Sequence, residues 1–182
     1  IGENMSNRVE LENPEDMTEE NKSVYDRFPS NLARALLLTR GSAGPHFDLG
    51  ASFTKGLLSD TDREIIVLRV AKLRNSDFER KLHYHLAIKA GLSAEEIRFI
   101  EEGYSDRLSK QRAALVRYVD DCILQHKASE GTFWALREYY SVGQMAEATH
   151  LAGHAAMTAM YLASLDIPLD DGLTSWDNLS SD

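Results

Sequence analysis

At 182 residues the chain is the size of a single domain and can bury a substantial core without covalent staples. Its 20 basic residues against 29 acidic ones give a formal charge of −9, which argues against a nucleic-acid surface. The lone cysteine, Cys122, excludes an internal disulfide, a Cys-x-x-Cys redox pair and a cysteine zinc cage. The longest apolar run, residues 151–163, is interrupted by His154 and Thr158 and falls short of the ~20 residues that span a bilayer. With no basic, apolar and small-residue signal at the N-terminus, a cytoplasmic protein is expected.

In chain order, residues 1–17 are polar and read as a flexible arm. Thr18 caps a short helix that Pro29 stops, and Ser30 starts a second over 31–40, with Leu32, Ala35, Leu36 and Thr39 at helical spacing. Residues 41–45 read as a break, followed by a third helix that begins near Phe47 and ends near Ser59. Asp60 opens a helix whose apolar residues fall on more than one side, the mark of a central, buried element that Asn75 closes. Ser76-Asp-Phe-Glu79 and Ser93-Ala-Glu-Glu96 are capping-box patterns on either side of Gly91, a left-handed helix stop. A long amphipathic helix covers about 106–126, and Ser129 and Ser141 cap the last two, the final one reaching Leu165. Residues 18–170 thus form one all-α domain, and 171–182 are a tail containing Trp176. Ala148, Ala152, Ala155, Ala156, Ala159 and Ala163 leave a broad sector of the last helix free of bulk, suited to close core packing or a subunit seam.

Chemistry concentrates between Arg63 and Ser93. Glu64 lies inside an apolar helix, where a carboxylate needs a partner or a raised pKa. His83 lies one helix later, and the break at Asn75 and Ser76 lets the two helices fold back, so Glu64 and His83 are the candidate acid–base pair. Glu79 sits one turn before His83 on the same face, and Arg80, three residues before it, is a candidate carboxylate-binding side chain when it is not solvated or paired with Glu79. His85, two residues past His83, points about 200° away and cannot share its site within one subunit. His150 and His154 share a face of the last helix one turn after Glu147, and three readings stay open: packed core histidines, lining of the same substrate cavity, or part of a metal site.

The Arg63 to Ala71 helix, the Asn75-Ser76 turn, Phe78-Glu79, His83 and the Ala-Gly-Leu-Ser-x-Glu-Glu-Ile run at 90–97 resemble the carboxymuconolactone decarboxylase and alkylhydroperoxidase D-like superfamily. The segment 24–32, residues 118–121 and the close at 165–170 resemble its longer members, so the likeness spans 24–170. It implies an AhpD-like bundle of about seven to eight helices. It also implies a homo-oligomer (trimer, dimer or hexamer) with a cofactor-free cavity at a subunit boundary. In the peroxidase branch a Glu is followed after twelve and fifteen residues by cysteines and after nineteen by a His; from Glu64 those places hold Ser76, Glu79 and His83. Without thiols the peroxidase chemistry has no redox group. The decarboxylase branch implies His83 as proton carrier with Glu64 orienting it, acting on a small carboxylated, lactone or enolisable molecule. Arg80 and Lys81 depart from the aromatic and neutral residues usual after the Glu. Lyase or isomerase chemistry is therefore expected, with a non-catalytic ligand-binding oligomer and a metal-dependent enzyme as alternatives; no metal, nucleic-acid or membrane partner is assigned.

Overall fold

The computed structural model describes residues 8–170; the first seven residues of the expected arm and the expected tail at 171–182 lie outside the described residues. Nine α-helices and one 3-10 turn make up the described fold: α1 (Glu19–Tyr25), α2 (Asn31–Leu36), α3 (Ala43–Phe53), α4 (Asp60–Leu73), α5 (Asp77–Lys89), α6 (Ala94–Glu102), the turn Ser105–Arg107, α7 (Lys110–Leu124), α8 (Glu130–Arg137) and α9 (Val142–Leu165). No strand occurs among the described residues.

A Ser or Thr side chain accepts a first-turn amide at every one of these helices except α3. Ser93 with Glu96 and Ser141 with Gln144 form complete capping boxes. At α5 only half of the expected box forms. Ser76 accepts from the Glu79 amide, but the Glu79 carboxylate points away to His83. The expected break at 41–45 is also corrected, because α3 already begins at Ala43. Pro45 lies in its first turn, where a missing N–H breaks no intrahelical bond.

Burial explains the order of the elements. In α4 the run from Glu64 to Ala71 is buried on all sides, and the helix packs against α5, α6, α7 and α9. Ile65, Ile66, Leu68, Leu115, Val116 and Leu136 are fully buried in the main core. A smaller apolar cluster joins Leu32, Leu36, Ala43, Phe78 and Leu162 beneath α1, α2 and α3. α2 also gathers both ends of the described chain. Arg34 donates to the Leu11 and Glu12 carbonyls, and the Asn31 amide donates to Asp170 Oδ1. The boundary between the two apolar clusters is where the structure leaves space.

Candidate active site

α4 and α5 fold back at Asn75, which takes the left-handed conformation (φ 52°) that Asn tolerates better than most residues. The reversal brings Glu64 and His83 together: His83 Nδ1 lies 2.7 Å from Glu64 Oε2, and its Nε2 lies 3.5 Å from Glu79 Oε2. The imidazole is thus held between two buried carboxylates. Burial acts to lower the His83 pKa, but the hydrogen bond and charge of Glu64, with the Glu79 charge, outweigh it and leave the pKa raised. Burial pushes the Glu79 carboxyl up, with the Glu64 charge adding to the rise and the His83 charge opposing it.

Glu79 and His83 line a cavity of about 540 Å³ at the boundary of the two clusters. Its walls are mostly apolar, with Phe28 and Phe47 from the smaller cluster facing Phe53, Val67 and Leu151 from the main core. Glu64 is not on that wall. It opens instead to a neighbouring pocket of about 360 Å³ that also holds Arg63 and Lys89, and His83 borders both spaces. The three groups therefore form a row that runs from the apolar cavity through the ring to a more polar pocket behind it.

The sequence-chosen binding residues divide. His154 lines the cavity. His150, one turn earlier, is exposed and packs edge-on against Phe53 with ring centroids 5.4 Å apart. Arg80 is not brought to the cavity; its guanidinium is paired with Glu101 at 2.5 and 3.2 Å, and not with Glu79. Among the described residues the Lys or Arg on the cavity wall is Arg27, which bonds Asp48 at 2.6 Å. The Glu147 carboxylate accepts from the Leu57 and Leu58 amides, so it ties the α3–α4 loop to α9 and is not turned to the histidines. Among the described residues no group of three or more His, Cys, Asp or Glu side chains is arranged to hold a metal ion.

His46 was missed as a site residue. It stacks on His154 with centroids 4.5 Å apart and stands 3.4 Å from the Thr158 hydroxyl. Since that hydroxyl donates to the His154 carbonyl, it accepts from His46 Nε2–H. The i, i+4, i+7 spacing of His46, Gly50 and Phe53 marks one face of α3 and was a readable signal. Burial lowers the His46 pKa, and burial with the nearby His46, His150 and His83 brings His154 down to about 4. His154 Nδ1 is buried with no hydrogen-bond partner among the described residues.

A folded pKa below the unfolded value stabilises the protein above the unfolded pKa and is lost as pH falls. His154→Leu is accordingly expected to gain stability relative to the unsubstituted protein as pH drops from about 6.5 toward 4. Urea denaturation of both across that range reads the difference, and a constant gap shows that His154 titrates normally.

Cys122 lies on α7, half-buried, and burial raises its thiol pKa, the reverse of what a reactive thiolate needs.

Comparison with known proteins finds a family model and similar folds. The carboxymuconolactone decarboxylase family model matches residues 46–121, which contain Glu64, Glu79 and His83. No curated protein matches the sequence. A solved structure from Ralstonia eutropha JMP134, an uncharacterised peroxidase-related protein with an alkylhydroperoxidase AhpD core, superposes with a TM-score of 0.76 at 13% identity, covering 90% of this chain and 92% of that one. A protein of unknown function from Agrobacterium tumefaciens, for which an AhpD role in antioxidant defence has been suggested, gives a TM-score of 0.69 at 17% identity, over 75% of this chain and 96% of that one. Residues 46–121 thus match the carboxymuconolactone decarboxylase family model, and the helical fold built around them is that of the AhpD-like structures.

Proposed function

We propose that the chain is a cofactor-independent acid–base enzyme, a lyase or isomerase acting on a small carboxylated, lactone or otherwise enolisable substrate. The observation that carries this reading is the Glu79–His83–Glu64 row placed against a mostly apolar cavity. Such a cavity strengthens every hydrogen bond to a developing enolate oxygen, because little water competes.

Glu79 and His83 face the substrate and act as the catalytic residues. In decarboxylation the bond to the carboxylate breaks, carbon dioxide leaves, and its electron pair stays as an enolate. The site then delivers one proton to carbon. In isomerisation the same groups remove a proton from one carbon and return it to another. Glu64 is a positioning residue: it fixes the ring through Nδ1 and favours its charged form, and it connects the row to the polar pocket where the proton is replaced. Burial raises the Glu79 pKa, which favours its protonated, proton-donating form relative to an exposed carboxylate.

Incorporation of deuterium from heavy water at the α-carbon of simple ketones and 3-oxo acids tests the reading directly. Exchange above the buffer rate supports it. A second reading, a ligand-binding protein without turnover, draws on both His83 nitrogens facing carboxylates, and it predicts saturable binding with exchange no faster than buffer. The peroxidase description of the Ralstonia protein is not carried over, since the two thiol positions hold Ser76 and Glu79.

A further inference from the structure

Beside the main cavity lies another, of about 290 Å³, between α2, α3 and α9. Leu36, Pro45, Leu49, Met157 and Tyr161 belong to its wall, and no Asp, Glu, Lys or Arg among the described residues does. Leu32, His46 and Thr158 stand in the walls of both cavities, so the two abut. Together they follow α3 from Ser42 to Thr54, about 18 Å of helix at the α-helical rise.

The chemistry is confined to one end of this row. Glu79 and His83 come from α5, which contributes nothing to the wall of the second cavity. The polar groups at the other end already have partners. Tyr161 donates to the Ala35 carbonyl, Thr158 to the His154 carbonyl, and the Ser42 hydroxyl pairs with Thr39. A peptide segment placed there would leave its own amides short of partners, whereas a hydrocarbon needs none. The side chain between the cavities, His46, has a long hydrogen bond to Thr158 and ring contacts to His154 and Phe47, and presents an aromatic ring whose charged form burial disfavours.

We infer that the second cavity is a tail subsite: the substrate places an enolisable head at Glu79 and His83 and an unbranched alkyl tail that passes His46 into the pocket bounded by Leu49, Met157 and Tyr161. The inference rests on the acid–base reading of the main cavity and narrows its substrate class to amphipathic molecules with a hydrocarbon chain.

Calorimetric titration of the full chain with a homologous series of straight-chain 2-alkanones tests it. Affinity is expected to rise about fourfold per added methylene and then level once the pocket is full. Met157→Trp, at an exposed position on the rim, is expected to move the levelling point to shorter chains and leave the shortest ketone unaffected. Leu49→Phe, from inside the pocket, does the same should the first variant fold poorly. Affinity that stops rising at the length the main cavity accommodates overturns the subsite. So does a length dependence that neither substitution moves, or one that appears only when an oligomer is diluted, because a second copy of the chain then fills the pocket. Deuterium exchange of the shortest ketone separates this inference from the reading it rests on. Absent exchange with intact length dependence removes only the head chemistry, and exchange without length dependence removes only the tail subsite.

Discussion

His83→Ala is expected to abolish deuterium exchange, lowering the rate by about 10²- to 10⁴-fold, the usual contribution of a positioned general acid or base. The helical circular dichroism spectrum should be unchanged, since His83 lies at a cavity wall and an alanine there continues α5. Glu79→Gln removes the other proposed catalytic group and should fall in the same range. Glu64→Gln is expected to be milder and to show itself in the pH profile. Glu64 raises the His83 pKa, so removing its charge lets the ring lose its proton at lower pH. If turnover needs the charged ring, activity falls as pH rises through that pKa, and in Glu64→Gln the fall comes earlier. A His83→Ala protein as active as the parent removes the assignment.

The largest stability loss is expected far from the cavity. Arg69 is buried in α4, its Nε 2.5 Å from Asp120 Oδ1, while its Nη1 donates to the Ile100 and Glu101 carbonyls at the end of α6. Gly103, in the left-handed conformation (φ 75°), makes room for it: a Cβ there would stand 2.8 Å from Arg69 Nη2. Asp120→Ala leaves a guanidinium buried with carbonyls alone, and Asp120 is partly exposed, so a cost of about 3 kcal/mol is expected, the low end for a broken buried pair. Combining it with Arg69→Met should recover part of that loss, because no unpaired charge then remains. Urea denaturation of the three variants measures both. An Asp120→Ala protein as stable as the parent shows that the carbonyls suffice.

The helices were legible because their signals are local. Ser30, Ser93, Ser129 and Ser141 cap where the sequence placed them, and Asn75 and Gly91 take the left-handed turns that end α4 and α5. The spacing of Glu64 and His83 likewise foretold a contact across one turn, and the structure contains it. Glu79 was legible as a neighbour of His83 but was also assigned to a capping box. A carboxylate cannot serve both, and the buried imidazole at 3.5 Å took it. Arg80 was misplaced because its partner, Glu101, lies on another helix at a separation no local pattern encodes. Arg27 and His46 went unassigned for a related reason. They face Glu79 and His83 only after α1, α2 and α3 close over α5 and α9, a tertiary event.

The charge on His83 is the centre of the account, and nitrogen-15 NMR of the ring reads it directly. The ring's titration should lie above the ordinary histidine value and fall back in Glu64→Gln. A ring that titrates no higher than an ordinary histidine, and the same with and without Glu64, would contradict the proposed relay between the cavity and the pocket behind it.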